Sequence, residues 1–373
     1  MHAHLSADRL ADDLAVRDLT DPAAGPHALQ PLLARAVGAL ADHWGCEVRW
    51  WRGERIVTVT DNYDHLGYDP DDITRDARYT RYVDDRRMLR SHSSALVPGA
   101  LRALAADPSE DVLLVCPGLV YRRDSIDRLH TGTPHQVDLW RVTRRPAPMT
   151  PDGLDELVTV LLDALLPGSA HRCEPRVHPY TLAGRQVDAA SGGAWVEVAE
   201  CGLAHPGVLA RAGLGAAWSG LALGMGLDRV LMLLKGIPDI RLLRSADPSV
   251  AAQMTDLAPY RPVSAMPAVR RDLSVAVDRD DLVEDLGDRV RDVLGADADC
   301  VESVEILAET PCRELPPQAL ARLGARPDQK NVLLKVVLRH LDRTLTDREA
   351  NRLRDRVHAA VHRGATHQWA ANG

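Results

Sequence analysis

Apolar residues recur at three- and four-residue spacing from Pro26 to His43, as on an amphipathic helix, and again from Asp152 to Leu166, where Pro167 and Gly168 end the run. Between these helices the period changes. β-Branched and aromatic residues cluster at Glu47 to Trp51 and at Arg55 to Thr60, each predicting a strand. An apolar run from Val112 to Cys116 is followed by Pro117-Gly118 and a second run, Leu119 to Arg122; this spacing predicts a β-hairpin and hence an antiparallel sheet. Trp195 to Val198 alternates as a strand does, and Gly220 to Leu234 predicts a glycine-punctuated strand running into an apolar helix. Strands and helices mixed in this way make an α+β fold.

Prolines at 259, 262 and 267 break any regular element between Leu257 and Val269, and a domain boundary is expected there. Beyond it the pattern predicts strand (Leu273 to Val277), helix (Leu282 to Leu294), strand (Cys300 to Leu307), loop, strand (Asn331 to Leu341) and helix (Asp347 to Val361). That order fits a small ferredoxin-like α+β sandwich. Thr346 with Glu349 three residues later forms a capping box that fixes the start of the last helix.

With 373 residues there is room for two or three domains, and 45 % hydrophobic with 26 % charged residues is the balance of a soluble globular protein. The first residues carry no basic segment followed by an apolar run, and no stretch of about 18 apolar residues occurs, so a cytoplasmic protein with no membrane partner is expected. Six scattered cysteines without a CxxC pair predict reduced thiols and no zinc site. At a net charge of −8 any nucleic-acid contact must come from local basic patches. Lysine is confined to Lys235, Lys330 and Lys335, a bias of genome composition, whereas the complete absence of phenylalanine, a routine core residue, is not accidental.

Chemistry concentrates in six short strings: NYDHL (62–66), LRSHSS (89–94), GLVYRRDSID (118–127), HQVD (135–138), CGLAHP (201–206) and GMGLDR (224–229), the last continuing into GIPDIR (236–241). In this order they resemble the catalytic core of phenylalanyl-tRNA synthetase, a class II enzyme. The resemblance implies a class II antiparallel sheet with flanking helices over residues 21–250, after an extension (1–20) and before a linker (251–266). It also implies ATP and Mg²⁺ as cofactors, and an amino acid and tRNA as partners.

By the same resemblance Arg122 grips the α-phosphate and Arg229 the far phosphates, roles that suit a planar, permanently charged fork. Asp124, His130, Gly224 and Gly226 belong to the ATP site, and Glu197 is a candidate Mg²⁺ ligand, since that hard cation takes carboxylates. Gln136 and Asp138 match the residues that bind the substrate ammonium, with the acid one methylene shorter. His92 and Ser94 line the same end. Taken singly, each has a plainer alternative: a surface salt bridge for either arginine, a strand kink for the glycines, a solvated glutamate, a structural histidine. The family's glycines are replaced by Glu200 and Leu139.

The C-terminal residues 267–373 resemble the ferredoxin-like anticodon-binding domain of the same enzymes, in RDLSVAV (271–277), VESVE (301–305) and RTLTDRE (343–349). Arg348, Arg352 and Arg356 recur at i, i+4 and i+8, a stripe that can follow a phosphate backbone or can be an ordinary solvated face. Both domains in one chain resemble the single-polypeptide organellar form, which implies a monomer. The rival readings are a biosynthetic ligase that uses the same adenylate and a non-catalytic RNA-binding paralogue.

Within this resemblance VHPYTLAGRQVD (177–188) aligns with the family's aromatic wall, where two phenylalanines flank the proline; here they are His178 and Tyr180. The floor alanine is Ala222, flanked by Leu221 and Leu223 in place of phenylalanines. Two explanations compete. Either the pocket has moved toward a polar or modified ring, or every phenylalanine was removed so that the protein can be made when charged tRNA for it is scarce. The second also covers Tyr63 and Leu243, expected to lie away from the pocket.

Overall fold

The computed structural model describes residues 4–77, 79–123, 125–262 and 266–366. They divide into two compact units: Met1–Arg122, Thr133–Ile237 and Ala252–Tyr260 form one, and Arg123–Gly132, Pro238–Ala251 and Arg261–Gly373 the other.

The first unit is built on a seven-stranded sheet: β1 (Glu47–Trp50), β4 (Asp111–Leu119), β5 (His135–Thr143), β9 (Ser219–Gly226), β8 (Ala194–Ala204), β7 (Thr181–Ser191) and β6 (His171–Pro175), in that spatial order. β1 runs parallel to β4, and every other pairing is antiparallel. A short ribbon pairs β2 (Ile56–Thr58) with β3 (Arg87–Leu89). The helices are α1 (Ala7–Ala15), α2 (Leu29–Trp44), α3 (Val59–Asn62), α4 (Val97–Ala106), α5 (Pro151–Leu165), α6 (Pro206–Arg211) and α7 (Leu227–Lys235). On α2 the buried residues are Leu29, Leu32, Leu33, Ala36, Val37 and Leu40, the stripe expected from the apolar spacing.

Side-chain alternation assigns the two faces of this sheet. Val112, Leu114, Cys116, Trp140, Val142 and Ala222 pack with Leu96, Val97, Leu101 and Leu104 on α4 and the segment before it. Leu221 points the other way, toward Gly153 of α5. The expectation that Leu221 and Leu223 flank the pocket floor is therefore corrected: one residue either side of Ala222 on a strand lies on the opposite face, where both are buried.

The predicted hairpin at Pro117-Gly118 is also corrected. β4 runs unbroken through both residues and pairs over its whole length with β5. Proline is tolerated because β1 stops short of it. The Val115 carbonyl accepts from Trp51 on the β1 side, so the Pro117 nitrogen, two residues on, faces the same side beyond the last β1 pairing. The next amide on that side, Leu119, donates to Asp18 Oδ2 at 3.0 Å.

The second unit carries α8 (Pro248–Ala251), β10 (Val269–Asp278), α9 (Val283–Leu294), β11 (Val301–Pro311), α10 (Pro317–Leu323), β12 (Gln329–Leu338) and α11 (Asp347–Val361). Its described sheet has the order β10-β12-β11, all antiparallel, so β12 lies between two strands that α9 connects, a split β-α-β unit. Leu273, Val275 and Val277 of β10 and Val332, Leu334, Val336 and Leu338 of β12 meet Leu286, Val290 and Leu294 of α9 and Leu353, Val357 and Val361 of α11. The capping box is present: Thr346 Oγ1 accepts from the Glu349 amide, and the Glu349 carboxylate accepts from the Thr346 amide. Ile126, from the segment after β4, joins this core, and its carbonyl accepts from the Val304 amide. All six cysteines are unpaired. No described helix is long and apolar enough to cross a membrane.

Candidate active site

Three strands of the first unit aim alternate residues at one face, and their register decides which side chains meet. Asp138 of β5 is paired with Gly224 of β9, and Gly224 with Glu200 of β8; two rungs along, Trp140, Ala222 and Gly202 align in the same way. Directly paired residues share a face. Asp138 and Glu200 are thus two strand spacings apart, about 10 Å at the backbone, with no side chain between them. A Cβ at Gly224 would meet Asp138 Oδ2 at 3.7 Å.

Asp138 is buried and accepts three hydrogen bonds: from Ser93 Oγ at 2.5 Å and Ser94 Oγ at 3.1 Å on Oδ2, and from Trp140 Nε1 at 3.0 Å on Oδ1. Burial disfavours its charge more than these donors favour it, and its pKa is pushed up to about 6. Gln136, two residues earlier on the same face, accepts from the Ser93 amide at 3.2 Å. LRSHSS and HQVD therefore form one cluster.

His92 lies in an aromatic wall. It stacks on Tyr68 (centroids 5.8 Å apart, planes at 27°) and meets Tyr63 edge-on at 6.3 Å. Tyr63 is thus part of this wall rather than remote from the pocket, its hydroxyl donating to the Thr74 carbonyl at 2.7 Å. Burial, helped by the Arg122 charge, lowers the His92 pKa to about 3, so the ring is neutral. Asn62 holds its amide oxygen toward the Ser91 amide and its Nδ2 toward His92 Nε2 at 3.4 Å. His92 Nδ1 is buried without a hydrogen-bond partner.

The wall continues through Tyr180, which stacks on Trp140 (6.3 Å, 26°) and on His178 (5.6 Å, 27°). His178 Nδ1 is 3.2 Å from Thr181 Oγ1, and Nε2 lies 3.0 Å from Glu200 Oε2 without forming an aligned hydrogen bond. Arg176 Nε is 3.2 Å from Glu200 Oε1. Burial raises the Glu200 pKa, but His178 and the charges of Arg176 and Arg122 outweigh it and keep the carboxylate below its usual range.

Arg122 follows β4, with Nε donating to the Ser91 carbonyl at 3.1 Å and the guanidinium otherwise exposed. Arg229 is in the first turn of α7, where Nη1 donates to the Glu197 carbonyl at 3.2 Å and lies 3.8 Å from its carboxylate. That turn is fixed by a pairing that sequence reasoning missed. Asp228 accepts from the His135 amide at 2.6 Å and pairs with His135 Nδ1 at 2.8 Å, while His135 Nε2 accepts from the Leu19 amide at 3.1 Å. The pair locks the start of β5, with Gln136, to the start of α7, with Arg229. The adjacency of His135 to Gln136 and of Asp228 to Arg229 is the signal that could have found it.

Asp124 lies outside the described residues. His130 belongs to the second unit, where its amide and Nδ1 both bond to Asp127, at 2.9 and 2.7 Å. Glu197 is half exposed, and among the described residues no three His, Cys, Asp or Glu side chains converge to hold a metal. Arg348 and Arg352 are exposed on α11 and line a shallow groove with Asn351 and Asp355. Arg356, on the same stripe, is tied to Asp297 and to the Val293 carbonyl.

Residues 42–254 match the family described as tRNA synthetases class II core domain (F). The chain is 33 % identical over 249 residues to the phenylalanine–tRNA ligase alpha subunit of Prochlorococcus marinus, covering 65 % of this chain and 70 % of the relative. It is 26 % identical over 366 residues to the probable mitochondrial phenylalanine–tRNA ligase of Drosophila melanogaster, covering 82 % and 75 %. Among solved structures, the pyrrolysyl-tRNA synthetase of Desulfitobacterium hafniense superposes with a TM-score of 0.44 at 18 % identity, over 58 % of this chain and 73 % of that one. By its family match and its relatives, the chain belongs to the class II aminoacyl-tRNA synthetases, in the core-domain family (F).

Proposed function

We propose that the chain activates phenylalanine or a close aromatic analogue with ATP and transfers it to tRNA. One observation carries this reading: a buried carboxylate, Asp138, and a guanidinium, Arg122, address the same aromatic wall, the one suited to the substrate ammonium and the other to the α-phosphate that the substrate carboxylate attacks. In the first step a substrate carboxylate oxygen bonds to the α-phosphorus as the bond to pyrophosphate breaks. In the second a tRNA ribose hydroxyl attacks the carbonyl, loses its proton, and AMP leaves.

Asp138 and Gln136 accept from the substrate ammonium, with Ser94 holding Asp138. Arg122 balances charge on the α-phosphate, Arg229 binds the outer phosphates, and the neutral His92 ring lines the same end of the site as Ser94. Gly224 and Gly226 leave room for a ligand to approach the sheet closely. Tyr180 and Ala222 bound the aromatic end. Glu197 would hold Mg²⁺ through its carboxylate, a ligand that this hard cation takes, and the ion would neutralise phosphate charge. Residues 21–250 act as the catalytic domain and 267–373 as a ferredoxin-like RNA-binding domain after the linker 251–266. The Drosophila relative, covering 82 % of this chain, supports that joint arrangement and a monomer.

ATP–pyrophosphate exchange across a panel of amino acids tests the reading. Arg122→Ala and Arg229→Ala are each expected to lower exchange by ~10²- to 10³-fold, the loss typical of a preorganised transition-state contact, with an unchanged circular dichroism spectrum. Exchange at the wild-type rate in both variants would sink it.

A further inference from the structure

We infer that the preferred amino acid carries a hydroxyl on its aromatic ring, bound jointly by Glu200 and His178. This rests on the aromatic-amino-acid reading above and narrows it.

Glu200 shares a rung and a face with Asp138, and the glycine between them leaves the space over β9 open from one carboxylate to the other. The substrate's single α-ammonium is served at the Asp138 end, where Ser93, Ser94 and Gln136 converge. The second carboxylate on the same face, Glu200, has Arg176 Nε 3.2 Å from Oε1 and His178 Nε2 3.0 Å from Oε2, and its remaining lone pairs are open to a further donor. His178 names the complementary need. Its Nδ1 is taken by Thr181, and its Nε2 is buried without an aligned acceptor although Glu200 Oε2 is 3.0 Å away.

A hydroxyl fits this pair because it is donor and acceptor at once: it takes the hydrogen of His178 Nε2 and gives its own to Glu200. An ammonium would satisfy Glu200 and leave His178 unmet. A bare ring would offer nothing to His178 Nε2 or to the remaining lone pairs of Glu200, and sites built to bond a substrate group reject analogues that lack it.

The wall is also held in place. His178 lies against Tyr180, which lies against Trp140. Behind it, the Gly184 carbonyl accepts from the Arg176 amide at 2.8 Å, and a Cβ at Gly184 would come within 2.3 Å of the Arg176 carbonyl and 3.0 Å of His178 Nδ1. Glu200 thus stands on a β8 rung and His178 on a tightly packed turn.

The full chain is tested in ATP–pyrophosphate exchange with phenylalanine, tyrosine, meta-hydroxyphenylalanine, histidine and leucine. One hydroxylated ring should give kcat/KM at least ~10-fold above phenylalanine, and Glu200→Gly combined with His178→Phe should erase or invert that ratio. Should the double variant fail to fold, Glu200→Gln keeps the shape and is expected to lose most of the preference. A wild-type preference for phenylalanine, or a ratio unmoved by Glu200→Gln, overturns the inference and leaves the activation chemistry standing. Exchange with leucine or histidine alone also overturns it, whereas no exchange with any amino acid removes the parent reading as well.

Discussion

Asp138 carries opposing demands. To attract an ammonium it must be ionised, yet burial favours its neutral form and holds its pKa at about 6, above the usual 3.8. A raised pKa means that the folded state binds the proton more tightly than the unfolded chain does, so this group's contribution to stability is complete below about pH 4 and is lost as pH rises through about 6. At roughly 1.4 kcal/mol per unit the loss approaches 3 kcal/mol. Asp138→Asn keeps the shape and can still accept from Trp140 through its oxygen while donating to the serine hydroxyls. It should abolish amino-acid activation, leave melting unchanged at pH 4 and raise the melting temperature at pH 8. In the wild type, kcat/KM for the amino acid should fall as pH drops through about 6. A variant that melts lower than wild type at pH 8 would show that the ionised carboxylate is supported by its surroundings.

At the scale of elements, β4 shows where periodicity can be read and where it cannot. Proline followed by glycine ordinarily marks a turn, and nothing in the local string reveals that β1 ends opposite Val115 and leaves the Pro117 nitrogen on an unpaired side. Gly118 has its own tertiary reason: φ is +149°, and a Cβ would lie 2.1 Å from Arg90 Nη2 and 3.3 Å from Asp18 Oδ2. Gly118→Ala should therefore cost about 2–4 kcal/mol by strain and overpacking, read as a shift in the denaturation midpoint, and Gly118→Ala at no cost would contradict this packing. By contrast α2, α5, α9 and α11 were legible because each buries a continuous stripe, and α11 also carries its own capping box. The site was legible as strings but not as a pocket. That Glu200 and Asp138 face one another, that Tyr63 backs His92 and that Leu221 turns away are consequences of strand pairing, which one-dimensional spacing does not contain.

At the scale of the whole molecule, a net charge of −8 leaves no general attraction for a polyanion, so tRNA binding must rest on local cations. The three arginines of the α11 stripe differ in their surroundings. Arg356 is spent on α9, bonded to the Val293 carbonyl and paired with Asp297, whereas Arg348 and Arg352 stand exposed beside a groove. A cation that neutralises a phosphate releases a counterion, so removing one such cation lowers the salt slope of binding by about one unit. The double variant Arg348→Glu, Arg352→Glu should thus keep adenylate formation, which needs no RNA, while weakening tRNA charging at about 150 mM salt and flattening its dependence on salt. Arg356→Ala should instead lower stability, because it removes a tie between α11 and α9, and should change the salt slope little. If the double variant charges tRNA as well as the wild type at every salt concentration, α11 is a solvated face and RNA binding falls to other residues.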